Sequence, residues 1–197
     1  RARVEQIARS AAPAPRVLDF ALLESGGLLL VTSYEAGVAW DDYVGDASDV
    51  QRVQLAHSLG RAIHLLHEQG LGHGDLHPGN LLVVSAEEEN GVSGPDVLLL
   101  DLLDFGEKTE PFNVEYGPSN PSIADAMARD RFAVYKLVAE LTESLAAPDL
   151  SSEILRGFNQ PLGIPVALEP LLSELDRLLR PASDAIDIGD LPPLVVE

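Results

Sequence analysis

Apolar residues recur every three or four positions in several stretches of the chain, and this period predicts amphipathic helices. The clearest helix begins at a capping box, in which the Ser48 hydroxyl and the Gln51 amide have the required spacing. Its apolar stripe runs to Leu66, and Gly70 ends it because glycine readily enters the left-handed region. The pattern also predicts helices over 1–10, over 123–146 in two pieces, over 151–158 and over 168–180.

Shorter apolar runs predict two β-hairpins. Residues 16–23 and 27–32 flank a Glu-Ser-Gly-Gly turn, and residues 81–84 and 97–103 lie on either side of the turn pair Asn90-Gly91. Strands therefore come early in the chain and helices dominate its later part. This order predicts an α+β fold rather than alternating βαβ units.

The charge of the chain limits the partners that it can bind. The 197 residues include 32 acidic and 13 basic side chains, which give a formal net charge of −19. So negative a surface repels phosphate backbones and anionic lipids, which argues against nucleic-acid and membrane-surface binding. The chain has no cysteine, so disulfides and thiolate chemistry are excluded. No apolar run approaches about 18 residues and no signal peptide is visible, so a cytoplasmic location is expected.

The densest cluster of chemically active residues is the segment His73-Gly74-Asp75-Leu76-His77-Pro78-Gly79-Asn80, which is followed after 23 residues by Asp104-Phe105-Gly106. Asp75 and Asn80 lie on one short loop. A hairpin formed by the two strands that follow would return Asp104 to the neighbourhood of Asn80. Asn80 and Asp104 then offer the oxygen ligands that suit Mg²⁺, a cation that retains contacts to substrate phosphates.

This pair of motifs resembles the protein-kinase-like superfamily, in which a catalytic loop precedes a metal-binding Asp-Phe-Gly triplet. The resemblance implies an ATP- and Mg²⁺-dependent phosphotransferase, closest to Ser/Thr protein kinases, with Asp75 as the catalytic base and Asn80 and Asp104 as metal ligands. His77 stands where protein kinases usually carry a lysine. The implied substrate is a hydroxyl group of a protein or of a small molecule. The atypical loop and the missing cysteine favour a bacterial source.

The resemblance extends over most of the chain and implies a fold with a mostly helical C-lobe and a truncated N-lobe. Residues 1–32 would be the partial N-lobe, 33–47 the hinge and 48–197 the C-lobe. The first helix is similar to the kinase αC helix, which makes Glu5 the candidate ion-pairing glutamate. Asp130, on a helix that is similar to αF, would brace the catalytic loop.

The resemblance also implies a nucleotide site. Thr32 would be the gatekeeper residue, and backbone groups of Ser33 and Glu35 would contact the adenine ring. Leu82, two residues beyond Asn80, would form the floor under that ring.

Several positions depart from the protein-kinase pattern. The sequence has only two lysines, Lys108 and Lys136, and both follow the catalytic loop, so neither matches the phosphate-anchoring lysine. A glycine-rich loop is missing as well. The sequence begins at Arg1 and its only methionine is Met127, so we expect it to be part of a larger polypeptide or complex. Gly74 stands where regulated kinases carry arginine, which predicts no switching by a phosphorylated activation loop at this point.

Three alternatives stay open at this stage. A catalytically inactive pseudokinase or regulatory binding module would explain the missing lysine. A small-molecule kinase of the aminoglycoside phosphotransferase type would explain the His-Gly-Asp-Leu-His-Pro-Gly-Asn loop. A zinc site would use His64 and His67, completed by His73, Asp75 or His77.

Overall fold

The computed structural model describes residues 2–25, 27–85, 94–102, 113–119 and 125–180. The helices in these ranges are α1 (Ala2–Arg9), α2 (Trp40–Asp46), α3 (Asp49–Glu68), α4 (Ala126–Thr142), α5 (Pro148–Phe158) and α6 (Glu169–Leu179). The strands are β1 (Val17–Leu22), β2 (Leu28–Thr32), β3 (Val38–Ala39), β4 (Leu81–Ser85) and β5 (Pro95–Leu99). Short 3-10 turns lie at Pro78–Asn80, Val114–Tyr116 and Pro161–Gly163. The mixture of helices and small sheets confirms the predicted α+β class.

The hydrophobic core is built around α3. The predicted capping box is present, since the Ser48 side chain accepts from the Gln51 N–H and the Gln51 side chain accepts from the Ser48 N–H. Leu59 and Ile63, in the middle of the apolar stripe, are fully buried. The stripe packs against α4, α6 and β5, and each buried side chain of this size contributes roughly 1.5–3 kcal/mol.

The strands form two separate antiparallel sheets. The first is the β1–β2 hairpin, in which Phe20 pairs with Leu30. The second has the order β3-β4-β5, and its register pairs Leu81 with Leu99 and Ser85 with Pro95. This register returns the end of β5 to the start of β4, directly after the segment that carries Asp75 and Asn80.

Backbone contacts attach the N-terminal elements to the helical part. The Leu99 N–H donates to the Pro13 carbonyl at 2.7 Å, which ties the segment before β1 to β5. The Ala11 N–H donates to Gln69 Oε1 at 3.0 Å, just beyond the end of α3. On α1, Val4 and Ile7 are buried. The start of the chain is therefore anchored beside the end of α3 and along β5.

Two elements differ from the sequence prediction. The strand predicted over 97–103 ends at Leu99, and Asp101 has a φ of 56°. A left-handed residue turns the chain out of the sheet, which ends the strand early. The helix predicted in two pieces is continuous from Ala126 to Thr142, and Asp125 caps its first turn by accepting from the Ala128 N–H at 2.7 Å.

None of the helices in the described ranges combines the length and the apolar character that a membrane crossing requires. Nothing in the structure tests the division into 1–32, 33–47 and 48–197, which stays a prediction.

Candidate active site

The loop between α3 and β4 is held in place by a carboxylate from α4. Asp130 is fully buried, and its side chain accepts the His73 N–H at 2.7 Å and the Gly74 N–H at 2.8 Å. His67 Nε2, near the end of α3, lies 2.9 Å from the same carboxylate. Buried carboxylates are stable only when donors surround them. Asp130 therefore braces this loop, as the resemblance implies.

The His73 ring connects the loop to the end of β5. Its Nε2 lies 2.8 Å from the Leu100 carbonyl, which can only accept, so Nε2 carries the proton. Its Nδ1 then accepts the Asp75 N–H at 3.4 Å. The ring is fully buried, so one imidazole sets the distance between the two chain segments that carry the candidate site.

The Asp75 carboxylate is half-buried and has two different neighbours. Its Oδ1 accepts the Asn113 N–H at 2.5 Å, and its Oδ2 lies 3.7 Å from His77 Nε2. His77 Nδ1 accepts the Gly79 N–H at 3.1 Å, which places the proton of a neutral ring on Nε2, toward Asp75. The structure thus brings Asp75 and His77 together, and Oδ2 accepts no hydrogen bond from the described residues.

Asn80 is fixed beside Asp75 and beside the end of β5. Its Nδ2 donates to the Asp75 carbonyl at 2.9 Å, so its amide oxygen is the group left for a ligand. Its backbone carbonyl accepts the Leu100 N–H at 2.9 Å. Leu100 is therefore the residue opposite Asn80, and Asp101 follows directly.

The acidic residue that follows this backbone contact is Asp101, which the sequence analysis did not select. Identity with the Asp-Phe-Gly triplet favoured Asp104, which lies outside the described residues together with Phe105 and Gly106. The missed signal is the strand register, because pairing Leu81 with Leu99 brings the chain back at Leu100 and Asp101. The role of Asp104 as a metal ligand stays a prediction.

The predicted nucleotide-binding residues lie along the connection between β2 and β3. Thr32 and Asp101 line one apolar cavity of about 220 Å³, so the predicted gatekeeper lies close to the end of β5. The Ser33 N–H donates to the Arg16 carbonyl at 2.8 Å, and the Ser33 hydroxyl donates to Glu35 Oε1 at 2.6 Å. The Ser33 carbonyl and the Glu35 N–H have no partner among the described residues, which leaves both for a planar ligand.

Leu82 lies directly against this connection. A Cβ added to Gly37 would lie 2.6 Å from Leu82 Cγ and 2.7 Å from the Val83 carbonyl, so only glycine fits at this contact. The pairing of Val38 with Val83 and of Ala39 with Leu82 fixes the approach. The predicted floor residue is thus held next to the predicted hinge.

Glu5, the predicted ion-pairing glutamate, lies on α1. It borders a second cavity with Gln69 and Leu71, whereas Ile7, on the same helix, lines the cavity that contains Thr32. Residues two apart on a helix point in widely different directions. The ion-pairing role of Glu5 stays a prediction.

Segment 113–119 lies on the other side of Asp75 and is attached to α4. The Tyr116 hydroxyl donates to Glu140 Oε2 at 3.1 Å, and Lys136 Nζ donates to the Glu115 carbonyl at 2.7 Å and lies 4.8 Å from the Tyr116 ring centroid. Burial, together with the nearby carboxylates of Glu140, Glu115 and Asp41, raises the pKa of Tyr116 to about 12. The sequence analysis selected no site residue in this segment.

The histidines of α3 do not form the zinc site that their spacing allowed. Among the described residues, no three histidine, aspartate or glutamate side chains converge as a metal site requires. His64 lies near Glu68 and Glu169, at 3.7 and 3.9 Å, while His67 contacts Asp130. The two histidines therefore serve different helix contacts.

The arrangement of these elements is that of a protein kinase domain. The chain is similar to the crystal structure of the kinase domain of PknI from Mycobacterium tuberculosis, with a TM-score of 0.65 and 15% sequence identity. The match covers 89% of this chain and 75% of the PknI chain. The sequence matches no protein-family model and no curated protein. The chain therefore has a kinase-like fold, as the resemblance of its motifs implies.

Proposed function

We propose that this chain is an ATP- and Mg²⁺-dependent phosphotransferase domain that acts on Ser or Thr hydroxyl groups of a protein. One observation carries the proposal: a loop braced by Asp130 carries Asp75 and Asn80, and the Asn80 carbonyl accepts the N–H of Leu100, the residue directly before Asp101. These three side chains are the types that phosphoryl transfer requires, because that reaction depends on positioning and on neutralising charge. The likeness to a PknI kinase domain supports the kinase-like fold on which this proposal is built.

The residues present fit Mg²⁺ and a nucleotide. The Asn80 amide oxygen and the Asp101 carboxylate are hard oxygen donors that would hold the cation, with Asp104 as a further ligand. When bound, Mg²⁺ neutralises charge on the phosphates of ATP. The Ser33 carbonyl and the Glu35 N–H would bind the edge of adenine above Leu82. In this proposal residues 1–32 are N-lobe, 33–47 hinge and 48–197 C-lobe.

Asp75 acts as the base in the proposed reaction. Its Oδ1 is occupied by the Asn113 N–H at 2.5 Å, so the proton of the substrate hydroxyl moves to Oδ2. His77 Nε2 lies 3.7 Å from Oδ2, beyond hydrogen-bond distance, so its ring borders the oxygen that takes the proton. A positioned base of this kind accelerates a reaction by typically 10²–10⁴-fold.

The test compares three aspartate variants in the full natural protein. Transfer of radiolabelled phosphate from ATP to Ser/Thr peptides should fall by roughly 10²–10⁴-fold in Asp75→Ala. Asp101→Asn should raise the Mg²⁺ concentration that gives half-maximal rate, and Asp104→Asn measures how far the second aspartate shares that role. Asp149→Asn, at an exposed position on α5, is the matched control.

Two results would contradict parts of this assignment. Unchanged transfer in Asp75→Ala removes the base. Transfer to an aminoglycoside-like hydroxyl compound, but not to peptides, assigns the enzyme to small-molecule kinases instead.

A non-catalytic nucleotide-binding module is the second candidate, and the placement of Lys136 favours it. This lysine, on α4, lies 3.9 Å from a Glu115 carboxylate oxygen and 3.8 Å from one of Glu140, far along the chain from the hinge. Its ion-pair partners, Glu115 and Glu140, are not residues of the nucleotide site that we propose. Nucleotide binding by calorimetry with no phosphate transfer by the wild-type protein would support this candidate.

A further inference from the structure

We propose that Arg129 is a positioning residue for Asp75, an inference that rests on the proposed function. Arg129 lies in the first turn of α4, next to Asp130, and only 4% of it is exposed. Its Nε donates to the Gly74 carbonyl at 2.8 Å. Gly74 immediately precedes Asp75, so this bond holds the peptide group that leads into the base.

Two consecutive residues of α4 thus hold both polar groups of Gly74. Asp130 Oδ1 accepts its N–H at 2.8 Å, and Arg129 Nε donates to its carbonyl at 2.8 Å. The Asp75 N–H, on the far side of the same peptide group, donates to His73 Nδ1 at 3.4 Å. Each end of the peptide that joins Gly74 to Asp75 is therefore hydrogen-bonded to a buried side chain.

This position needs such a restraint because Gly74 has a φ of +91°. Glycine adopts this conformation without steric cost, but it also adopts many others. A rotation about the Gly74 bonds would turn the Asp75 carboxylate away from Asn113 and His77. The rigid guanidinium plane of arginine directs its Nε–H in a fixed direction, which a flexible lysine ammonium does not.

Arg129 also differs in position from the arginine that regulated kinases carry near the catalytic base. Regulated kinases carry arginine on the catalytic loop itself, at the position of Gly74. In this chain a buried arginine reaches the same peptide from the helix beneath. The loop thus gains a cation that contacts backbone, and Arg129 is assigned to positioning and not to contact with substrate.

Arg131 provides a matched control on the same helix. Its Nε also donates to a backbone carbonyl at 2.8 Å, but that carbonyl belongs to Pro165, in the segment before α6. Substituting either arginine removes one Nε–carbonyl bond from α4. Only the substitution at 129 removes a bond to the catalytic loop.

The experiment measures transfer kinetics and amide hydrogen exchange in Arg129→Met, Arg129→Lys and Arg131→Met, each in the full natural protein. Both Arg129 variants should lower kcat by about 10- to 100-fold, because a small misplacement of the base has effects of that size. The KM for ATP should stay within about twofold, since the hinge is untouched. Arg131→Met should leave kcat unchanged.

Hydrogen exchange separates this inference from the proposed function. Exchange of the Gly74 and Asp75 amides should accelerate by at least about tenfold in the Arg129 variants and not in Arg131→Met, because local opening becomes easier. If the wild-type protein transfers no phosphate and exchange still accelerates, the proposed function fails and the positioning role stands. Wild-type exchange rates or full kcat in Arg129→Lys would overturn the role of Arg129. Because Arg129→Lys retains the buried charge, it serves as the test variant if Arg129→Met does not fold.

Discussion

The β1–β2 hairpin and the region around α3 are stabilised in opposite ways. In the hairpin, Leu22 is 64% exposed and Leu29 is 53% exposed, whereas Leu59 and Ile63 of α3 are fully buried. A two-stranded ribbon on its own is marginally stable in water. In the α3 region, by contrast, the apolar side chains are buried against α4, α6 and β5. The loop that carries Asp75 is attached to the well-packed region, and the predicted hinge joins the two.

This difference shows where the precision of the candidate site originates. The proposed base and metal ligands depend on buried donors and acceptors that a packed core holds at fixed distances. The groups proposed to contact adenine lie where the exposed hairpin meets that core. We therefore expect substitutions in the α3 region to change both stability and catalysis, and those in the hairpin to change nucleotide affinity first.

The largest expected effect is that of Asp130→Ala. It leaves the buried N–H groups of His73 and Gly74 without an acceptor, so the free energy of unfolding should fall by about 2–6 kcal/mol, at roughly 1–3 kcal/mol for each lost partner. Urea denaturation measures it. The control is Asp149→Ala, which removes an exposed pair with Arg177 and should change stability by less than about 1 kcal/mol. Equal losses in both variants would show that the brace adds no stability.

The second prediction compares a leucine of α3, Leu59, with a leucine of the β1–β2 hairpin, Leu22. Leu59→Ala should lower the free energy of unfolding by about 2–5 kcal/mol, because it opens a cavity in the core. Leu22→Ala should lower it by no more than about 0.5 kcal/mol, because its side chain is largely in contact with water. Similar losses would mean that the hairpin is covered in solution. Chemical denaturation of the two variants decides the matter.

The smallest expected effect concerns segment 113–119, which contacts α4 through partly exposed side chains. A tyrosine ionises near pH 10 in an unfolded chain, and Tyr116 in the fold has its pKa raised to about 12. Its contribution to stability is therefore complete below pH 10 and is lost as the pH rises from 10 to about 12. Unfolding midpoints of Tyr116→Phe should decline less over this interval than those of the wild type. Parallel declines would place the alkaline sensitivity elsewhere.

The elements that were predicted best are those whose signals are local. The capping box of α3 and its apolar stripe depend on spacing within one segment. The brace by Asp130 reaches partners 56 and 57 positions earlier, and it was expected only because its helix resembles αF. Asp101 was missed because its position depends on the register between β4 and β5, which no single segment encodes. Arg129 was missed for a related reason, since its partner is a backbone carbonyl 55 positions earlier in the chain.

The pairing of Ser85 with Pro95 has a practical consequence for protein engineering. Because the ladder between β4 and β5 already closes at this pair, the distance from Asn80 to Asp101 does not depend on how many residues connect Ser85 to Pro95. A reporter or a whole accessory domain inserted between these two residues would leave the chemistry at the opposite end of the hairpin in register.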